Sequence, residues 1–248
     1  MDLKSFNNSL LKKPKGQTVL YCFSPPVMVA TVIIEVGLAV WTLFRYRRGM
    51  FAKVAVAILL LLAAFQVSEY QVCGGHNAQI WSRFGLIAIT FLPVAGLYLI
   101  RFITKNKITS VIGAITALFF VLYYIFAPKN EIVAFCGGNY VIFAGPSALY
   151  QFFGAYYFGF LVLTIWHSVK AIYETKSTLF QRVLKWLVAG YLSFMLPLVA
   201  VYVFFAPARS AVASVMCGFA LIFALILAFE IVPNFYKLEE AEKLKPKV

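Results

Sequence analysis

Apolar residues dominate seven stretches of the chain, at about 25–45, 52–71, 83–103, 109–127, 147–168, 183–205 and 210–233. Each is close to the roughly 20 residues a helix needs to cross a bilayer. The connections between them are short and polar, so sequence neighbours are expected to pack antiparallel. The pattern predicts an all-α integral membrane protein: a seven-transmembrane-helix bundle over 25–233, a polar N-terminal leader at 1–24 and a charged tail at 234–248. Pro25 and Pro26 fix the entry to the first span, and Pro233 predicts a break before a Lys/Glu-rich tail with one or two amphipathic turns. The first long apolar run, Val27 to Phe44, is full length and followed by RYRR, so it is expected to remain as a span and not to be removed as a signal peptide.

Composition sharpens this picture. The chain is 62% hydrophobic and only 12% charged, with a mean hydropathy of +0.87, which excludes ordinary soluble globular usage. The net charge of +13 does not point to nucleic acid, because the basic residues are scattered between spans and not gathered on one surface. The lipid bilayer is the partner they imply. Loops one, three and five hold Arg45, Arg47, Arg48, Lys53, Arg101, Lys105, Lys107, Lys170, Lys176, Arg182 and Lys185, whereas loops two, four and six hold Arg83, Lys129 and Arg209. By the positive-inside rule the odd loops and the C-terminus are cytoplasmic and the N-terminus lies outside, in a cytoplasmic membrane. Lys4, Lys12, Lys13 and Lys15 of the leader argue the other way and are outweighed by three agreeing loops.

The polar residues within spans carry the candidate chemistry. Gln66, Glu69, Tyr70 and Cys73 fall at i, i+3, i+4 and i+7, giving the last two turns of span two a polar side. Glu35 stands near the middle of span one, on a face with Thr31, Leu38, Ala39 and Thr42. A carboxyl in a membrane span costs a few kcal/mol unless partnered or wetted, and is by default a site hypothesis. Two readings of Glu35 stay open: a protonated group hydrogen-bonded to another helix, or part of a polar cavity shared with Glu69. Likewise Glu69 and Arg83 are expected either to form an ion pair at the outer mouth or to hold a ligand. The candidate small-molecule site is therefore Glu35, Gln66, Glu69, Tyr70 and Arg83.

Cys22, Cys73, Cys136 and Cys217 all fall near the outer face, where disulfides form and persist. The leading pairing is Cys73 with Cys136, each heading a Cys-Gly-Gly loop; free thiols and a Cys/His metal site using His76 are the alternatives. The repeated Cys-Gly-Gly is read as chance or shared turn chemistry before a two-helix duplication. No Lys occurs between Ser210 and Val232 to form a retinal Schiff base, and the two His residues are too few for an intramembrane zinc hydrolase. No catalytic residue and no cofactor is assigned.

The segment W-x-R-F-G-L-I-A-I-T-F-L-P-V-A-G-L, with Trp81, Arg83, Leu92 and Pro93, preceded by Glu69 at the end of span two, resembles the third-helix region of the seven-transmembrane sensor domains found ahead of bacterial histidine kinases and diguanylate cyclases. The resemblance implies a seven-helix sensor with its N-terminus outside. Such sensors continue into a catalytic domain, whereas only 16 residues follow from Pro233. Output is therefore expected to pass to a separate cytoplasmic signalling protein, through the loop RYRRGMFAK and the tail LEEAEKLK. A small proton-coupled transporter using Glu35 and Glu69, or an intramembrane enzyme, are the alternatives.

Overall fold

The computed structural model describes residues 25–47, 49–104, 107–128, 131–136, 141–144, 147–204 and 212–243. The expected leader at 1–24, Cys22 and Arg209 lie outside the described residues. Seven helices are long and apolar enough to cross a membrane, which makes this a multi-pass membrane protein. They are α1 (Pro25–Arg45), α2 (Met50–Cys73), α3 (Ala78–Thr104), α4 (Ile108–Phe126), α5 (Ser147–Glu174), α6 (Thr178–Phe204) and α7 (Val212–Ile226). A wide π turn, Leu227–Ile231, carries α7 without interruption into α8 (Val232–Lys243).

Local chemistry sets the boundaries. At the end of α2, Gly75 has φ +78°, and the His76 N–H reaches the Gln71 carbonyl (3.2 Å) while that of Gly75 reaches Val72 (3.3 Å). This is the Schellman arrangement, which needs a residue without a Cβ at the left-handed position. The Asn77 side chain accepts from the Ile80 N–H (3.3 Å) and starts α3, and Ser177 does the same for α6 by accepting from Phe180 (3.4 Å).

One expectation is corrected. Pro233 does not break the chain. The π turn before it directs the Val232 N–H to the Leu227 carbonyl, five residues back, and the Asn234 amide donates to the Glu230 carbonyl (2.6 Å). Widened turns and side-chain donors are what let a proline sit inside a helix. The seven spans form the expected all-α bundle, and one short hairpin accompanies them. The segment before α5 forms an antiparallel hairpin, β1 (Val133–Cys136) and β2 (Val141–Ala144), with Cys136 opposite Val141 and Ala134 opposite Phe143. Its Val-Ala-Phe-Cys and Val-Ile-Phe-Ala runs are too short to stand out from the neighbouring spans by hydropathy.

Helices α2 and α3 are the most enclosed, packed on each other and flanked by α1 and α4, with α5 also against α3 and α7 closing onto α6, α1 and α2. The α2/α3 contact is close at Gly85, where a Cβ would collide with the Ser68 hydroxyl. Most buried hydroxyls serve their own helix: Thr31, Ser68, Thr90, Thr164 and Ser168 each donate to a carbonyl one turn back. Tyr156 of α5 instead crosses to the Thr90 carbonyl (2.6 Å), in the turn of α3 that Pro93 deprives of a donor. The end of the bundle that carries α8 is closed by aromatic rings. Phe235 stacks on Phe51 (centroids 3.8 Å apart), Tyr236 lies against Tyr46 and Phe229 against Trp41.

Candidate functional site

At the hairpin end, three separate segments converge on one cross-strand pair. Cys73, the last residue of α2, is disulfide-bonded to Cys136 at the end of β1, with Cα atoms 5.0 Å apart. Directly opposite Cys136, Val141 donates its N–H to the Ser214 hydroxyl (3.1 Å), and that hydroxyl lies 3.1 Å from the Val141 carbonyl. Ser214, in the first turn of α7, also donates to Glu69 Oε1. Glu69 stands one helical turn before Cys73, so the path closes on itself: Glu69, Cys73, Cys136, Val141, Ser214 and back to Glu69. Glu69, Ser214 and Val141 are all buried, and Phe143 of β2 packs against Phe65 of α2 beside them (centroids 5.8 Å apart).

The ring is half covalent and half exchangeable. A serine hydroxyl carries one proton. Here it faces two acceptors, the Val141 carbonyl and Glu69, and it can donate to only one of them at a time. The disulfide, closing a separation of 63 residues, holds the hairpin in place meanwhile.

The five residues expected to share a ligand site differ in their surroundings. Gln66 and Glu69 face the interior one turn apart, and Gln66 is 3% exposed. Tyr70, one residue further round the helix, is 40% exposed. Arg83 is engaged elsewhere: its guanidinium donates to the carbonyls of Tyr124 (3.2 Å), Ile125 (2.9 Å), Ala127 (2.6 Å) and Pro128 (3.3 Å). The Tyr124 and Ile125 carbonyls are left over at the end of α4, Ala127 and Pro128 belong to the turn that follows, and a cation placed there also opposes the helix dipole. The expected Glu69 to Arg83 ion pair is therefore not made, since four convergent carbonyls satisfy the guanidinium better than one carboxyl that is already turned inward to Ser214.

Glu35 lies on α1, fully buried and turned into the bundle, and among the described residues neither carboxyl oxygen has a hydrogen-bond partner. The Thr42 hydroxyl, two turns along the same face, is in the same condition. Such groups are rare in native interiors, where nearly every buried polar atom is partnered. Deeper in the bundle an apolar cavity of about 20 Å³, room for about one water, is lined by Leu62, Leu92, Tyr157, Tyr191, Met216 and Phe223, among others, without Glu35.

Among the described residues no three His, Cys, Asp or Glu side chains gather as a metal site, and the sulfur of Cys73 is committed to the disulfide. Of the two Cys-Gly-Gly sequences, the first ends a helix, whereas the cysteine of the second ends a strand and its glycines lie outside the described residues. Ser214 and Val141 were missed by sequence reasoning. The one available signal was a hydroxyl at the start of span seven, at the same end as Glu69. No protein-family model matches this chain, and no curated protein matches it either.

Proposed function

We propose that the chain is a stand-alone seven-helix sensor, receptor-like, in a cytoplasmic membrane with the hairpin end outside and α8 on the cytoplasmic side. The orientation is supported by the disulfide, which suits an oxidising compartment, and by the excess of Lys and Arg in the odd loops over the even ones. A small molecule or a change at the outer surface acts on the Glu69 link, and a separate cytoplasmic protein reads the result at α8.

One observation carries this reading. Ser214 of the ring and Phe235, stacked on the first turn of α2, belong to a single uninterrupted helical rod running through the π turn. An input at one end thus has a continuous element along which to reach the other, and π turns are common at functional points in helices. The input shifts the balance only by its differential affinity for the linked and released states.

The test is amide hydrogen exchange in lipid nanodiscs, comparing the unaltered protein with Ser214→Ala. The sensor reading expects exchange over Val232–Lys243 to change severalfold although the substitution lies at the other end of the rod. Faster exchange confined to the hairpin, with α8 unaltered, would sink it. A proton-coupled carrier is the second reading, favoured by the unpartnered Glu35; it requires proton-driven uptake into proteoliposomes that Glu35→Gln abolishes.

A further inference from the structure

A recess of about 590 Å³ opens beside the first two turns of α6, lined among the described residues by Thr178, Leu179, Gln181, Arg182, Lys185 and Trp186. Thr178, Gln181, Arg182 and Lys185 fall at i, i+3, i+4 and i+7, so they form one stripe along the helix. The opposite face, Val183, Leu184 and Leu187, is packed into the bundle. The Gln181 amide is tied to the carbonyls of Ile172 (3.3 Å) and Thr175 (2.9 Å), which fixes the turn from α5 and holds the stripe facing outward.

The two cations in this stripe differ from others at the same end of the bundle. Lys170 is within 3.7 Å of Glu174, and the guanidinium groups of Arg45 and Arg101 lie over the rings of Tyr46 and Tyr98. Among the described residues, no carboxylate lies within ion-pair distance of Arg182 or Lys185. Trp186 is partly exposed one helical turn after Arg182, where an indole sits well at headgroup depth. A recess of this size, with a planar guanidinium, an ammonium and a hydroxyl on one side and an indole on the other, matches a phosphodiester with glycerol attached to an acyl chain.

We infer that this recess binds the headgroup of an anionic phospholipid, with Arg182 and Lys185 holding the phosphate, Thr178 donating to it, and Leu179 and Trp186 against the upper acyl chain. The assignment is independent of the sensor reading. Phosphatidylglycerol is the probe, and native mass spectrometry of the detergent-purified full chain gives its affinity. Phosphatidylglycerol is expected to bind at least tenfold more tightly than phosphatidylcholine, and R182Q/K185Q to erase about tenfold or more of that preference. A control pair, R45Q/K53Q, removes the same charge elsewhere at this end and leaves the preference within about threefold. Equal losses in the two double variants would mean diffuse attraction and overturn the site. Displacement of the lipid by millimolar inorganic phosphate would overturn the lipid as its ligand. A second measurement leaves the recess intact: in W41F/W81F/W166F, Trp186 fluorescence should be quenched more by brominated phosphatidylglycerol than by brominated phosphatidylcholine. Equal quenching by the two would also reject the proposal.

Discussion

Glu69 and Glu35 are both fully enclosed carboxyls on membrane-spanning helices, yet their surroundings are opposite. Glu69 meets a hydroxyl from α7 that is itself bound to a β-strand, and the strand is bonded through sulfur to the helix that carries Glu69. Among the described residues, Glu35 meets no hydrogen-bond partner. The difference lies in where the backbone runs. Near the end of the bundle, helix termini and a hairpin offer donors and acceptors that are not already used. Halfway along a span, each neighbouring backbone group is committed to its own helix, so a polar side chain there finds few openings.

The comparison can be broken at several places. The largest effect is expected from Cys73→Ser/Cys136→Ser, which opens the covalent half of the ring. Loss of a loop closure of 63 residues is worth on the order of 2–4 kcal/mol, toward the low end here because inserted spans restrict the unfolded chain too. A fluorescence-detected melt in detergent should fall by several degrees, and the same fall should follow mild reduction of the unaltered protein. An unchanged melt would mean that the hydrogen-bonded half suffices.

Next comes Glu69→Ala, which removes one of the two acceptors around Ser214 and leaves a void. Destabilisation of about 1–3 kcal/mol is expected, with Glu69→Gln, which keeps the reach, costing less. A double-mutant cycle with Ser214→Ala should show coupling of about 1 kcal/mol; additive losses would deny the link. Arg83→Gln should cost about 1 kcal/mol by uncapping α4, read as faster amide exchange over the last turn of that helix. Last, Glu35→Met should be neutral or raise stability by up to about 1 kcal/mol, because it replaces an unpartnered buried group with an apolar one of similar size. A loss as large as that of Glu69→Ala would reveal a partner for Glu35 and erase the contrast.

The seven spans were legible because hydropathy over 20 residues is a strong and local signal, and the disulfide because Cys73 and Cys136 shared an end and a motif. Helical spacing groups Gln66 and Glu69 with Tyr70 on one polar side, but only the first two are buried. What was not legible depended on residues far apart in sequence. Ser214 is 145 residues from Glu69, and nothing local marks it as a partner. Proximity in sequence points Arg83 to the nearest opposite charge, whereas the groups that hold it are backbone carbonyls, which every residue has and no sequence distinguishes. The hairpin was hidden because four-residue apolar strands between spans look like more of the same. Pro233 was read by its usual effect on a helix; the π turn ahead of it has no sequence signature.

The sulfur bridge also gives the molecule an unusual covalent topology. The backbone from residue 73 to residue 136 leaves one side of the bilayer in α3 and comes back in α4, so the bridge fastens both crossings into a closed loop. A protease that cuts the turn between them, near Lys107, would leave both pieces travelling together on a non-reducing gel. Only a thiol would separate them.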